Sequence, residues 1–187
     1  MQQQNEKEEY AVVLDFLPNG YPMDRSASYK KTAIVQAIGK TNFVLLELVP
    51  KPGIHLKSGD EVYIGSGKRD QIHHINGKIP VTKLTATANG ELEFVLKKLI
   101  TSAPERFVDF FNKSMPLSMR MHQLELLPGL GKKHMWEIVE ERQGKPFTSF
   151  ADIRERVKLM PDPEKIVLKR ILMELEGQEK YNLFVRD

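Results

Sequence analysis

The stretch LLPGLGKKHMW, Leu126–Trp136, places a proline and two glycines directly ahead of two lysines. Apolar residues follow the lysines at helical spacing, with Met135 and Ile138 at positions i and i+3. The preceding segment, Met119–Leu126, also has a helical pattern. Because proline ends a helix and glycine accepts turn conformations, the stretch predicts a tight turn between two helices, the second beginning at Lys132.

This turn has the chemistry of an anion site. Gly129 and Gly131 keep side chains off its outer surface, so a ligand can approach the backbone N–H groups. The first N–H groups of a helix lack partners within the helix, and the helix dipole favours an anion there. Lysines at that end do not favour the helix itself, so a bound anion explains them better. We expect the site to comprise Pro128, Gly129, Leu130, Gly131, Lys132, Lys133 and His134.

The longer segment LELLPGLGKKHMWEIVEER resembles the helix-hairpin-helix motif, whose pattern is apolar-Pro-Gly-apolar-Gly followed by an apolar-spaced helix. The resemblance implies that the hairpin holds a DNA or RNA phosphate on its backbone amides without reading bases. Some members of the helix-hairpin-helix superfamily bind a monovalent cation on the hairpin carbonyls. The resemblance implies that such a cation would bind here at the Leu127–Gly131 hairpin. Met135 stands where the motif often has a small residue, which bears on the packing of the two helices and not on the turn.

A second copy of the pattern follows at an offset of 32 residues, so that residues 125–139 align with residues 157–171. In this copy Pro161 and Pro163 replace the two glycines, and Asp162 can cap a helix whose first residue is Pro163. Proline offers no N–H to an anion. The sequence therefore predicts a complete first hairpin at 124–139 and a degenerate, structural second hairpin at 156–171.

The chain changes character near residue 90. Short β-type runs broken by turn residues come first, at 10–16, 32–38, 42–49 and 60–65, with less clear runs in QIHHI and IPVTKL. GKTN at 39–42 predicts a hairpin turn. After ANGE at 88–91 the apolar period becomes helical, first in residues 92–100 and then around the phenylalanines Phe107, Phe110 and Phe111. A small barrel followed by a helical half is predicted.

Several classes of protein and site are excluded or disfavoured. Cysteine is absent, so there is no disulfide framework, thiolate metal site or cysteine nucleophile. His73 and His74 are adjacent in a predicted strand and are expected to point to opposite faces, so no metal site is predicted. The N-terminus lacks a basic patch followed by an apolar core, and the apolar run at 43–49 is short. We expect a cytoplasmic protein without a membrane segment.

Most of the chain also resembles an archaeal family known as domain of unknown function 655. The resemblance rests on SGDEVYIG, RDQIHHINGKI, VTKLT, ERFVDFFNKSMP, LELLPGLGKKHMW, EERQGKPFTSFADIRERV and LMPDPEKIVLKRI, in that order. It implies a barrel similar to an OB fold and a helix-hairpin-helix domain, and it implies no established activity. The expected fold is α+β in two domains: an OB-like β-barrel with a polar N-terminal tail at 1–89, and an all-α domain with tandem hairpins at 90–187.

The basic excess lies in the predicted barrel, because residues 25–83 contain ten Lys and Arg but four Asp and Glu. OB-type barrels bind single strands through a basic groove with aromatic platforms. The candidate basic residues are Lys30, Lys31, Lys40, Lys68, Arg69 and Lys78. The candidate stacking residues are Tyr21, Tyr29, Phe43 and Tyr63.

The expected function is non-sequence-specific binding of nucleic acid, RNA in translation or RNA processing or else DNA, with no catalytic residue. The leaning towards RNA comes from the family's archaeal setting. One alternative is a protein-interaction module docking through the Phe107 helix or the C-terminal YNLFV, with a partner in the translation or transcription machinery. Another is a DNA glycosylase or lyase using Lys133 and Asp152, although Asp152 fits a local helix-capping role. The sequence leaves oligomeric state open.

Overall fold

The structure is a computed structural model that describes residues 6–27 and 30–186. The chain forms two compact units, one of Met1–Val95 with Glu174–Asp187 and one of Leu96–Met173. The C-terminal segment therefore belongs with the N-terminal half. The division into domains at residue 89 stays a prediction.

The first unit is built on a five-stranded antiparallel sheet that curls into a half-barrel, in the order β4-β1-β2-β3-β5. Its strands are β1 (Tyr10–Leu17), β2 (Ile34–Gly39), β3 (Leu45–Pro50), β4 (Glu61–Tyr63) and β5 (Ile72–Lys78). β4 and β5 are the outer strands of this sheet in the described part of the chain. The α+β class and the barrel-like sheet are confirmed, whereas the closed OB-like barrel stays a prediction.

Both faces of the sheet are buried at its centre. All six residues of β3 are buried, and so are the central residues of β1 and β2. Alternate positions along these strands form one apolar cluster, which therefore lies on one face. Its buried members are Ala11, Val13, Val35, Ala37, Leu46, Leu48, Leu56, Val62, Ile64 and Ile72. The other face also needs cover, because the paired residues Val12 and Ile38 there are 8% and 0% exposed.

Two predictions of secondary structure within residues 79–91 were wrong. The IPVTKL run contains a 3₁₀ turn, Val81–Lys83, and not a strand. ANGE lies inside the first helix, α1 (Ala86–Ser102), and not before it. Thr85 starts that helix early because its hydroxyl accepts the Ala88 N–H at 3.0 Å and donates to Asp15 at 2.6 Å. A side chain on β1 thus helps to fix where α1 begins.

The second unit contains the end of α1, from Leu96 onwards, and four further helices among the described residues. These are α2 (Glu105–Lys113), α3 (Lys132–Gly144), α4 (Phe150–Arg156) and the greater part of α5 (Pro163–Leu175). α3 begins at the predicted residue. Ser149 starts α4, since its Oγ accepts the Asp152 N–H at 3.0 Å.

The predicted helix over Met119–Leu126 is wrong, and so is the expectation of an all-α half. A two-stranded ribbon, β6 (Pro116–Ser118) and β7 (Met121–His122), is followed by a 3₁₀ turn at Gln123–Leu126. The His122 Nδ1 accepts the Leu124 N–H at 3.1 Å, and Glu125 accepts the His122 N–H at 2.7 Å. This capping box starts the helical turn only at residue 123, so the preceding residues pair as strands.

Candidate nucleic-acid interface

Two buried leucines hold the first hairpin in place. Leu127 is 1% exposed and Leu130 is 7% exposed, so both side chains are part of the core of the second unit. The Leu130 N–H donates to the Leu127 carbonyl at 3.2 Å, which closes the turn. The Gly131 carbonyl accepts the Met135 N–H at 3.1 Å as the first hydrogen bond of α3. With the leucines buried, Gly129 and Gly131 are left exposed at the surface.

The two glycines serve different purposes. Gly129 has φ +84°, which favours glycine, and a Cβ there would lie 3.2 Å from Pro161 Cγ. Gly131 has φ −99° and is extended, and a Cβ there would meet no atom within 4 Å. The fold therefore requires glycine at 129 for the turn and for packing against the second hairpin. It imposes no such requirement at 131.

The start of α3 lacks the side-chain cap that α4 and α5 have. Gly131 occupies the N-cap position and has no side chain to accept an N–H from the first turn. Lys132 and Lys133 are exposed, and no carboxylate among the described residues forms an ion pair with either. The first turn holds no acidic residue. Open backbone donors, the helix dipole and two unpaired cations thus coincide at one end of a helix.

Two predicted contacts of the hairpin are already used within the protein. The Leu130 amide is committed to the Leu127 carbonyl, so it cannot also hold a phosphate in this conformation. The His134 Nε2 lies 3.2 Å from the Leu159 carbonyl oxygen, which directs that side chain to the second hairpin. His122, which precedes the hairpin, is buried, and burial lowers the pKa of its imidazole. Gly131, Lys132 and Lys133 remain open at the surface, beside Pro128.

The second hairpin is closed by its own acidic residue. Asp162 Oδ1 accepts the Glu164 N–H at 3.0 Å and pairs with Arg154 at 3.1 Å, so α5 is capped from within the chain. Burial raises the pKa of Asp162, but the Arg154 guanidinium and backbone donors outweigh burial and lower it. The carboxylate therefore stays charged at the position where a phosphate would have to approach. Asp162 caps α5 and Pro163 begins it, as predicted.

Asp152, proposed with Lys133 for the lyase alternative, has a structural environment. Its carboxylate accepts the Thr148 N–H at 3.0 Å and pairs with Arg156 at 3.2 Å. The Thr148 hydrogen bond is the main cause of its lowered pKa, with Arg156 adding to it. Arg156 also donates to the Glu141 and Lys145 carbonyls at 2.6 Å and 2.6 Å, at the end of α3. These contacts give Asp152 the local role that the sequence had suggested.

Two of the six predicted basic residues of the sheet unit line a common groove. Arg69 and Lys78 line a groove of about 950 Å³ that has an apolar floor including Val44 and Leu46. Lys30, Lys31, Lys40 and Lys68 are not among the residues that line this groove. Lys40 is paired with Glu61 at 2.7 Å. Lys7 adds a third positive charge to the groove, but Glu6, Glu8 and Glu9 also line it, so the groove carries mixed charge.

The predicted stacking residues have other roles. Phe43 is buried, and Tyr63 packs over Gly65 and accepts the Gly67 N–H at 3.0 Å. Tyr29 lies outside the described residues. Tyr10, which was not among the predicted stacking residues, is 42% exposed and lines the groove, with its ring centroid 5.3 Å from that of Tyr63. Its place at the start of a predicted strand, where one face is open, could have drawn attention to it.

Tyr21 belongs to a polar network around Glu47, a buried carboxylate on β3. The Tyr21 hydroxyl donates to Glu47, and Lys83 Nζ and Asn76 Nδ2 each approach its oxygens at 2.9 Å. Burial raises the pKa of Glu47, but these three donors outweigh it and lower it. Burial and the Glu47 hydrogen bond raise the pKa of Tyr21 to about 12. The glutamate inside an apolar predicted strand could have indicated this network, because a buried charge needs hydrogen-bonding or charged partners.

The expectation for the adjacent histidines was wrong. His73 Nδ1 and His74 Nδ1 lie 2.7 Å apart, so both rings are on the same side of β5. The register of β3 and β5 shifts between Val49 and Pro50, opposite these histidines, and a bulge removes the regular alternation. The described residues nevertheless hold no group of three or more His, Asp or Glu placed to bind a metal ion.

The structure is that of an α+β protein with a curled antiparallel sheet and a helix-rich second unit. This chain belongs to the family described as "Protein of unknown function (DUF655)", whose model matches residues 7–186. It is 45% identical over 181 residues to "Uncharacterized protein MJ0038" of Methanocaldococcus jannaschii, covering 96% of this chain and 80% of that protein. It is similar to the crystal structure of Af1531 from Archaeoglobus fulgidus, with a TM-score of 0.88 and 44% identity over 96% of this chain and 100% of that one.

No helix in the described ranges 6–27 and 30–186 combines the length and the apolar character needed to cross a membrane.

Proposed function

We propose that the protein binds the phosphate backbone of RNA or DNA at the first hairpin, through the open start of α3. The observation that carries the proposal is Gly131, which the fold does not require and which leaves the helix start uncapped beside Lys132 and Lys133. A serine or aspartate there would cap the helix better than glycine. Glycine is the better choice where a ligand must approach the backbone closely.

The proposed contacts carry no base information. Backbone amides and lysine ammonium groups recognise the phosphate charge, which every nucleotide has. The Gly131, Lys132 and Lys133 contacts would therefore give salt-dependent binding without sequence specificity. The groove lined by Arg69 and Lys78 is a secondary contact in this proposal, because the acidic residues around it reduce its attraction for a polyanion.

The proposal predicts the salt dependence of binding. The experiment is fluorescence anisotropy with labelled single-stranded and double-stranded RNA and DNA over a range of salt concentrations. The logarithm of the binding constant should fall linearly with the logarithm of the salt concentration. If Lys132 and Lys133 each neutralise a phosphate, changing both to Ala should flatten the slope by about 1.5–2 units. The matched control is Lys165→Ala with Lys169→Ala, which removes the same charge from exposed positions of α5.

Asp162→Asn is a second control, since it removes the charge from the second hairpin while keeping a residue that can cap α5. Its affinity should stay within about twofold of the wild type, a difference near 0.4 kcal/mol. A slope that is unchanged by the Lys132 and Lys133 double variant, or reduced equally by the α5 control, would contradict the assignment of phosphate binding to this hairpin.

Protein interaction is kept as a second candidate function because of the β6–β7 ribbon. Met115, Met119 and Met121 are exposed along it, and flexible methionines are common on surfaces that accept varied partners. The docking residues proposed from sequence do not favour this function, since Phe107, Phe111 and Phe184 are buried. Absence of salt-dependent binding to every nucleic acid tested would leave the ribbon as the better lead.

A further inference from the structure

Trp136 is an exposed aromatic residue that the fold does not use. It is the single tryptophan of the chain, and its side chain is 64% exposed on α3. Tryptophan is highly buried on average in folded proteins, because its large apolar surface is costly to leave in water. Its neighbours Met135 and Ile138 are buried, so α3 packs into the second unit through a different face.

Helical geometry places Trp136 with the two lysines. Successive residues of an α-helix are rotated by about 100°, so positions i+3 and i+4 lie on one face. Trp136 is at i+4 from Lys132 and at i+3 from Lys133, and it therefore lies between them, about one turn or 5.4 Å further along the axis. The two lysines and the tryptophan form one exposed surface, which we term the Lys-Trp face.

We infer that Trp136 stacks on an unpaired base of the strand whose phosphate binds at the start of α3. This inference rests on the proposed function and specifies its ligand: single-stranded RNA or DNA, or an unpaired nucleotide within a larger structure. The ring offers a flat apolar surface, and the lysines beside it have the charge complementary to a polyanion. A paired base in a duplex presents only its edges to a protein, so its face is not available for stacking.

The Lys-Trp face is short, which limits the contact to one or two nucleotides. Glu140 follows Trp136 at i+4 and is exposed, so it places negative charge one turn beyond the ring. A phosphodiester backbone running further along α3 would meet this repulsion. The geometry therefore favours a strand that crosses the start of α3, with one phosphate near Gly131 and one base on Trp136.

Intrinsic fluorescence tests the stacking directly, because Trp136 is the single tryptophan. Full-length protein is titrated with short oligouridylate, with oligothymidylate and with a duplex of the same length. Both single strands should quench the fluorescence and the duplex should not. In anisotropy, Trp136→Ala should weaken single-strand binding by about fivefold or more, since stacking is worth about 1–3 kcal/mol per base, and leave duplex binding within about twofold. Trp136→Phe should be intermediate.

The controls separate this inference from the proposed function. Leu159→Ala truncates another apolar side chain, 90% exposed on the second hairpin, and should leave single-strand binding unchanged. If the wild type binds no nucleic acid, the proposed function fails. If it binds with a salt slope that depends on Lys132 and Lys133 but without quenching, or if Trp136→Ala weakens single strands and duplex equally or not at all, the stacking inference alone fails.

Discussion

At the residue scale, Gly129 and Gly131 show why one motif can hold two kinds of glycine. The sequence assigns both the same role, since both flank Leu130 in a turn. The structure separates them by the sign of φ and by the position of Pro161, which is distant in the chain. Neither property can be read from a local pattern. The turn itself was predictable because proline and glycine act through backbone conformation alone.

Alanine substitutions should therefore have different effects at these two positions. Gly129→Ala forces a Cβ into the left-handed region and against Pro161, and should destabilise the protein by about 1–2 kcal/mol. Gly131→Ala should change stability by less than about 1 kcal/mol, because the new Cβ meets no neighbour, and the restriction of the unfolded chain offsets the poorer N-cap preference of alanine. Urea unfolding followed by circular dichroism measures both.

At residue 131, the effect of alanine on nucleic-acid binding should differ from its effect on stability. Under the proposed function, Gly131→Ala weakens nucleic-acid binding although the stability of the variant stays within about 1 kcal/mol of the wild type. A larger loss of stability in Gly131→Ala, or unchanged binding, would mean that this glycine is not kept open for a ligand.

At the element scale, side chains from neighbouring segments decide where helices begin. The capping box at His122 delays the helical turn to residue 123, and Thr85 advances α1 ahead of ANGE. The apolar period of a sequence marks the middle of a helix better than its ends. Asp162, whose capping role follows a known local rule, was predicted correctly as the cap of α5.

The Glu47 network holds elements together and should make stability depend on pH. The pKa of Glu47 in the folded protein lies below its ordinary value of 4.5, so its ionised form contributes stability above that pH. This contribution is lost as pH falls through the folded pKa. Glu47→Gln should lower stability at neutral pH, and its loss of stability between neutral pH and acid should be smaller than that of the wild type.

The measurement is the free energy of unfolding in urea at several pH values from 7 down to about 3. Glu61→Gln is the control, because Glu61 forms an exposed ion pair with Lys40, and exposed pairs contribute little. Parallel pH curves for Glu47→Gln and the wild type would show that the network does not stabilise the folded state through the ionised carboxylate.

At the scale of the whole molecule, the C-terminal segment is assigned to the helical domain by the sequence prediction but groups with the sheet unit in the structure. This segment, Glu174–Asp187, begins with the last two residues of α5. Glu174 accepts the backbone N–H groups of Leu183, Phe184 and Val185 at 2.6 Å, 2.9 Å and 2.8 Å. The Arg186 N–H donates to the Asn42 carbonyl at 3.1 Å. The contact between Arg186 and Asn42 joins residues that are far apart in the sequence, so no local sequence pattern predicts it.

Removing residues 178–187 should therefore destabilise the sheet unit selectively. The deletion exposes the site that buries Phe184, worth about 1.5–3 kcal/mol, and leaves the buried Glu174 carboxylate without its three N–H donors. Hydrogen exchange should show faster exchange of amides in β2 and β3, with little change in α3 and α4. Tyr181→Ala, in the same segment but partly exposed, should change neither set. If the deletion accelerates exchange equally in both units, the chain unfolds as one cooperative unit, and the predicted division into two domains is wrong.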